Sequence, residues 1–408
     1  MGISKFSEFR KGVLGKTFFR KKRVSPGKLP DKIDFRISSH GYYLFLSKNV
    51  IILSGDSMNI YSGDDIRTML AKTDRPIIIY GTGNGADKIM NGFEILGIKV
   101  CGFMASDGFV RDRSFRGFHV MPLSEIESRF PDPVIIIAFG SQRAEVIENI
   151  LAISKKHTVL CADVPVYGEN IFDSRFYEKN IRDIENTYSM LSDDISKHTF
   201  ENIISFKLSG RLEYLTECFC EKDEAFRNIL RLGKNESYLD LGAYRGDTIS
   251  EFLDYTDGSY SDITALEPDR KTYKKLCEYA GGMENTKLFN MGIWSEDCDM
   301  HFNNSLGRGS SIRSDGEQTL AVTKIDTLYK KRRLTYLKAD VEGAEEQMIK
   351  GGIDTLRRDK PKLNIALYHR SEDIFKLPLM IKKIQPEYNI FMRQHPHIPS
   401  WDLNLYAS

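Results

Sequence analysis

The sequence predicts an α/β protein built of two open sheets in series, joined by a helical bridge. A strand, glycine loop and helix signal occurs twice, at Ile77–Ala86 and at Tyr238–Thr248. Short, fully apolar runs alternate with amphipathic stretches around both signals, the pattern of parallel sheets covered on two faces. Between them, residues 166–232 place Phe172, Phe176, Tyr177, Ile181, Ile184, Tyr188 and Leu191 at three- and four-residue spacing, which reads as helix.

At 408 residues the chain exceeds one ordinary core. Hydrophobic residues make up 41% and charged residues 28%, the balance of a soluble globular protein. A formal net charge of +1 implies no general attraction to nucleic acid. Six cysteines without a repeated Cys-x-x-Cys, or a His at zinc spacing, predict a reduced, cytoplasmic protein. No apolar run approaches the roughly 18 residues of a membrane span, and the N-terminus lacks the apolar core of a secretory signal.

Taken in order, residues 1–70 form a basic N-terminal segment and a hairpin. Lys5, Arg10, Lys11, Lys16, Arg20, Lys21, Lys22, Arg23 and Lys28 face Glu8 alone, interleaved with Phe6, Phe9, Phe18 and Phe19. One reading is an amphipathic segment resting peripherally on the anionic inner membrane face; the other is a solvated tail or an oligomer contact. Tyr42–Leu46 and Val50–Leu53 are the expected hairpin strands.

Residues 71–165 form a small Rossmann-like lobe. Its strands are Ile77–Tyr80, Ile98–Phe103, Pro133–Phe139 and Val159–Ala162, and its loop carries Gly81, Gly83 and Gly85. These glycines are candidates for a second nucleotide site. The loop is an incomplete G-x-G-x-x-G and no acid closes the second strand, since Asp107 comes late. The strings IIIYGTGNG and IIIAFGS resemble small nucleotide-binding-like domains found beside sugar-modifying enzymes. A scaffold with an empty cleft is the alternative. Residues 166–232 are the bridge, and Gly233 to Asn235 turn into the last lobe, 233–408.

The last lobe carries the chemistry. Asp240 precedes Gly242 and Gly246, so a carboxylate stands in the turn that would otherwise hold a pyrophosphate. That suits a cationic ligand without phosphates, and S-adenosylmethionine is the natural candidate. Ile263–Leu266 is the second strand, closed by Glu267 and Pro268, where an α/β site places its ribose acceptor. Thr286–Ile293 reads as the third strand, and Asp299–Phe302 with Ala321–Ile325 as an inserted hairpin. Leu334–Leu337 is the fourth core strand and delivers Asp340 and Glu342 to the same crevice, to accept a hydroxyl proton or to hold a divalent cation. Glu342 is also placed to cap the next helix. Pro361–Tyr368 is the fifth strand and brings His369, a candidate general base, to that edge. Tyr388–Met392 and Leu403–Tyr406 complete the sheet as an antiparallel pair, with His395 and His397 on a loop at the rim rather than on a metal.

Together YLDLGAYRGDT, ALEP, AVTKIDTLY, YLKADVEGAEEQMIKGG and ALYHRSEDIFKLPLMI resemble the FkbM family of S-adenosylmethionine-dependent methyltransferases, over about residues 233–408. The resemblance implies a class I methyltransferase fold: a Rossmann-like, seven-stranded, mostly parallel sheet whose last strand is antiparallel. It implies O-methylation, often of sugar hydroxyls in glycans or of natural products. The implied cofactor set is Asp240, Gly242, Ala243, Gly246, Asp247, Thr248, Glu267, Pro268, Met291 and Gly292. Within it Asp240, Gly242 and Gly246 would meet the methionine end, Glu267 the ribose, and Met291 and Gly292 the adenine. SWDLNLYA departs from relatives, which commonly carry an acid and a Thr on the last strand.

The sequence therefore predicts an O-methyltransferase acting on a saccharide, as glycan or nucleotide-sugar precursor, with Asp340, Glu342 and His369 as its catalytic candidates. Two alternatives stand. A nicotinamide-dependent sugar oxidoreductase would use the Gly81–Gly85 loop, and a non-catalytic protein would only bind the methyl donor.

Overall fold

The computed structural model describes residues 33–38, 41–46, 49–53, 58–106, 110, 114–303, 311–312 and 318–408. The chain divides into two units, Met1–Met58 and Asn59–Ser408. The first contains a three-stranded antiparallel sheet of Ile33–Ser38, Gly41–Leu46 and Asn49–Leu53. The last two of these are the expected hairpin. The basic stretch before residue 31 and Asp107 lie outside the described residues. Among the described residues no helix is long and apolar enough to cross a membrane.

Both larger sheets belong to the unit Asn59–Ser408. The first has six strands in the order Ser114–Phe115, Phe118–Met121, Gly102–Met104, Ile77–Tyr80, Val134–Ile137, Thr158–Cys161. All pair in parallel except the outermost two, which form a hairpin. Val134 to Ile137 are each at most 1% exposed, and each such side chain contributes about 1.5–3 kcal/mol on burial. The predicted strand Ile98–Phe103 is shorter and later than expected, because the chain leaves helix Asn84–Ile95 through Gly97 at φ +68° before pairing starts. The outer hairpin is too short to leave a periodic signature. Helix Ile66–Lys72 packs Ile66 and Leu70 into this sheet's core, so the first boundary falls after Met58 rather than at residue 70.

The bridge is a clamp. Its helices Ser174–Met190 and Asp194–Ser209 begin at Asp173 and Asp193, whose carboxylates accept from Phe176 N and Ser196 N. The second helix is buried along most of its length. At one end Lys207 Nζ donates to Asp163 Oδ1 at 2.9 Å, just past the first sheet. At the other, Ser196 Oγ accepts from Met392 N at 2.9 Å in the second sheet.

That second sheet has seven strands: β1 (Ser237–Leu241), β2 (Asp262–Leu266), β3 (Thr286–Phe289), β4 (Tyr336–Ala339), β5 (Lys362–Ala366), β6 (Ile390–Gln394) and β7 (Leu403–Ala407). Their order is β3-β2-β1-β4-β5-β7-β6. β1 to β5 are parallel, and β7 runs antiparallel to both neighbours. The order reverses between β1 and β4, and a crevice opens at their carboxyl ends. The predicted strand Thr286–Ile293 is broken in two. Asn290 Nδ2 donates to the carbonyls of Glu267 and Pro268 at 2.9 and 3.0 Å. Beyond it, Gly292–Ile293 joins a separate four-stranded sheet with Cys298–Asn303, Ser311–Ile312 and Gln318–Thr323.

Candidate active site

β1 ends at Leu241 and the chain turns through Gly242 at φ +76°. A Cβ there would collide with the carbonyl oxygen of Asp340. The carboxyl ends of β1 and β4 can meet only because this residue has no side chain. Gly242 N and Ala243 N both donate to Leu266 O at 3.0 Å, tying the loop to β2. Gly246, at φ +93°, caps helix Asp247–Tyr255. Asp240 is fully buried beneath the loop, where its Oδ2 accepts from the Thr248 hydroxyl at 2.5 Å. Burial pushes the Asp240 carboxyl up to about 6, against the opposing pull of Lys338. Asp240, Ala243 and Gly246 thus shape the loop from behind, while Gly242, Asp247 and Thr248 line the cavity in front of it.

Glu267 closes β2. Its Oε2 accepts from Tyr244 N at 2.9 Å and its Oε1 from Asp269 N at 2.8 Å. Burial raises this carboxyl to about 7, with the two backbone N–H groups acting against the rise. Each oxygen keeps a lone pair for a further donor. Pro268, Met291 and Gly292 line the same part of the cavity. Tyr244, Asp269 and Thr272 do too; none of them belongs to a pattern that sequence reasoning recognises.

Beyond β4 stands a cluster of charges. Asp340 Oδ2 accepts from the Tyr368 hydroxyl at 2.9 Å and lies 4.0 Å from Lys338 Nζ, while Oδ1 lies 3.3 Å from His369 Nε2. Glu342 adopts φ +51° and brings Oε2 to 3.6 Å from the same nitrogen. On the far side of the ring, His369 Nδ1 lies 2.8 Å from Glu345 Oε1, which also accepts from Val341 N at 3.0 Å. His369 and Glu345 are both buried.

The titration of the cluster separates its members. Burial alone would lower the His369 pKa, but Glu345, then Asp340 and Glu342, raise it to about 10. The three carboxylates favour the imidazolium form, which offers no free lone pair for the general-base role expected of the ring. Burial would also raise Asp340, yet Lys338, His369 and Tyr368 hold it below the usual carboxylate range. Glu342 goes the other way: burial, aided by Asp340 and opposed by His369, pushes it up to about 7.

Asp340, Glu345 and His369 each bring a ligand atom within 4.8 Å of the others, a spacing that a cation could bridge. Glu342, expected from the sequence to pair with Asp340 on such an ion, is outside that group. The cluster already contains its own positive charges in His369 and Lys338. Glu345 went unrecognised as a site residue because its meeting with His369 depends on how β5 registers against β4.

The cavity measures about 430 Å³ and is shared between the two sheets. Gly140 and Gln142, past the end of strand Val134–Ile137, form part of its wall opposite the glycine loop. Ser141 N donates to Ile398 O at 2.8 Å and accepts back from Ile398 N through its own carbonyl at 3.0 Å, fixing the seam. His397, Trp401, Asp402 and Asn404 add the rim of the second sheet, whereas His395, expected on that rim, is buried beneath it, with Nδ1 2.7 Å from Cys220 O and Nε2 2.7 Å from the Tyr406 hydroxyl. Gly81, Gly83 and Gly85 are not part of this cavity. A Cβ on Gly85 would strike the Ala138 carbonyl, so that glycine serves close packing of loop against strand.

The strand order, the single antiparallel strand and the loop at the β1/β4 reversal define a class I methyltransferase fold. Residues 240–403 match the family model described as the methyltransferase FkbM domain, and the chain carries such a domain there. A crystal structure of methyltransferase FkbM from Methylobacillus flagellatus KT is similar over 85% of this chain and 94% of that one, with a TM-score of 0.64 at 21% identity. Aeropyrum pernix fibrillarin in complex with S-adenosyl-L-methionine matches over 43% of this chain and 68% of its own, with a TM-score of 0.28 at 15% identity. No curated protein sequence matches the chain.

Proposed function

We propose that the chain is an S-adenosylmethionine-dependent O-methyltransferase acting on a saccharide hydroxyl in the cytoplasm. The observation that carries this reading is Glu342, a carboxylate with proton affinity near neutrality, facing a cavity walled on its other side by the Gly242 loop. The cavity has the volume of a small-molecule cofactor site. The bare backbone at Gly242 and the two-oxygen acceptor at Glu267 fit the donor's methionine and ribose ends. The bound donor supplies a methyl group already activated by its sulfonium.

The remaining work falls to the chain's own groups. Glu342 accepts the hydroxyl proton of the acceptor as the oxygen becomes the nucleophile, a contribution of typically about 10²–10⁴ in rate. Asp340, kept ionised by Lys338, His369 and Tyr368, is placed to take a hydrogen bond from the acceptor and fix its direction. His369 holds both carboxylates in place, and Glu345 holds His369. Proximity and orientation supply the rest of the acceleration.

Non-catalytic donor binding would not call for a half-buried base of this kind. A nicotinamide enzyme at Gly81–Gly85 would work away from the cavity that Glu342 faces, which those glycines do not line. The test is incubation with isotopically labelled S-adenosylmethionine and a glycan library. Label in a glycan ether, absent with Glu342→Gln, supports the proposal; label in protein only, or nowhere, contradicts it.

A further inference from the structure

We infer that the acceptor is an uncharged glycan, stacked on Trp401 at the seam between the two sheets, and not a nucleotide-sugar or other phosphorylated compound. The inference rests on the methyltransferase reading and narrows its substrate.

Charge is the first observation. Among the described residues seven carboxylates border the cavity, among them Asp247, Glu251, Asp269 and Asp402, against two lysines. Both lysines are engaged: Lys222 Nζ lies 2.7 Å from Glu251 Oε1, and Lys338 lies beside Asp340. Among the described residues no arginine borders the cavity. A cleft lined by one sign of charge focuses its field on whatever enters. It therefore favours a cationic donor and rejects a diphosphate, for which no spare cation waits.

Shape is the second. Trp401 is half-buried at the rim, with the His397 ring 5.9 Å away. Gly140 of the first sheet lies against the edge of its indole, where a Cβ would collide. The Ser141–Ile398 backbone pair holds that contact. Gln142, Asp402 and Asn404 line the same cavity as the indole, with Asn404 Nδ2 donating to Asp402 Oδ1 at 2.8 Å. A flat apolar plate edged by amides and a carboxylate matches a sugar ring, which has C–H bonds on one face and hydroxyls at its rim. The first sheet then acts as a wall of the acceptor site.

The chain has two tryptophans, Trp294 and Trp401, so Trp294→Phe leaves Trp401 as sole reporter. The experiment uses the full chain with S-adenosylhomocysteine present. Trp401 emission is followed against an array-selected set of uncharged oligosaccharides, and against UDP-glucose and inorganic pyrophosphate. Expected is a saturable shift with an uncharged glycan and none with the phosphorylated probes. Measured by glycan calorimetry, since the Trp401 variants carry no reporter, Trp401→Ala and Gly140→Ala should each weaken glycan binding about tenfold, the scale of one lost aromatic contact, while Trp401→Phe retains it. Tighter binding of UDP-glucose, failure of every uncharged glycan, or equal glycan binding by Trp401→Ala would overturn the inference. Calorimetry with S-adenosylhomocysteine is the separate arm: its failure strikes the methyltransferase reading, whereas donor binding with a phosphorylated acceptor strikes only this one.

Discussion

Glu342 Oε2 stands 3.6 Å from His369 Nε2, and the two groups exchange the roles that their residue types suggest. The histidine carries a fixed positive charge, and the carboxylate titrates near neutrality. Glu342→Gln should therefore lower kcat/KM by roughly 10²–10⁴ and leave donor affinity within about twofold. In the unsubstituted chain, activity should be full above pH 7 and fall as pH drops through about 7, because the base must be free. A pH–rate profile with a limb near 7 that disappears in Glu342→Gln checks this. A limb that stays would assign it elsewhere.

His369 should act on stability with the opposite sign. Its folded pKa, about 10, lies above the model-compound value of 6.5. Its stabilisation is fully present below about pH 6.5 and is lost as pH rises through 10. His369→Ala should destabilise by about 3–5 kcal/mol, since Glu345 is left buried and unpaired. The gap between the thermal melts of the two proteins should narrow from pH 6 to pH 10.5, as the charge-linked part is lost.

Gly242→Ala combines positive φ with a collision against the Asp340 carbonyl. Strain of this kind costs about 1–3 kcal/mol before the collision is counted. The variant should melt lower and fail to bind the donor. Gly83→Ala meets open space and should do neither. Calorimetry and melting of the pair check the contrast.

Because His369 and Lys338 already balance the carboxylates, turnover should survive exhaustive chelation with EDTA. Loss of activity restored by Mg²⁺ or Mn²⁺ would make Asp340, Glu345 and His369 the first place to look for the ion.

Much of this arrangement was legible in the sequence where it is local. β1, its glycine loop and Glu267 follow from apolar runs, turn residues and a spacing of about 20 residues. Asp340 and Glu342 follow from their position just beyond β4. Contacts between distant segments were not legible. Glu345 meets His369 through sheet register, and Gly140 meets Trp401 across two sheets far apart in sequence. The same limit explains the split of Thr286–Ile293, where the hydrogen bonds of Asn290, not its propensity, end the strand. Titration was the other hidden quantity. Sequence places Asp340 and Glu342 ahead of His369 as proton acceptors but does not show the three carboxylates around His369 that favour its charged form.

The most direct test of the central claim is calorimetric titration of the full chain with S-adenosylmethionine, with NAD run in parallel. The account predicts one-to-one, micromolar binding of the methyl donor, lost in Gly242→Ala and weakened about tenfold or more in Glu267→Ala, where a hydrogen bond to a charged group is removed. NAD should give no heat. Binding of NAD with none of the methyl donor would contradict the account and move the active site to the Gly81–Gly85 loop.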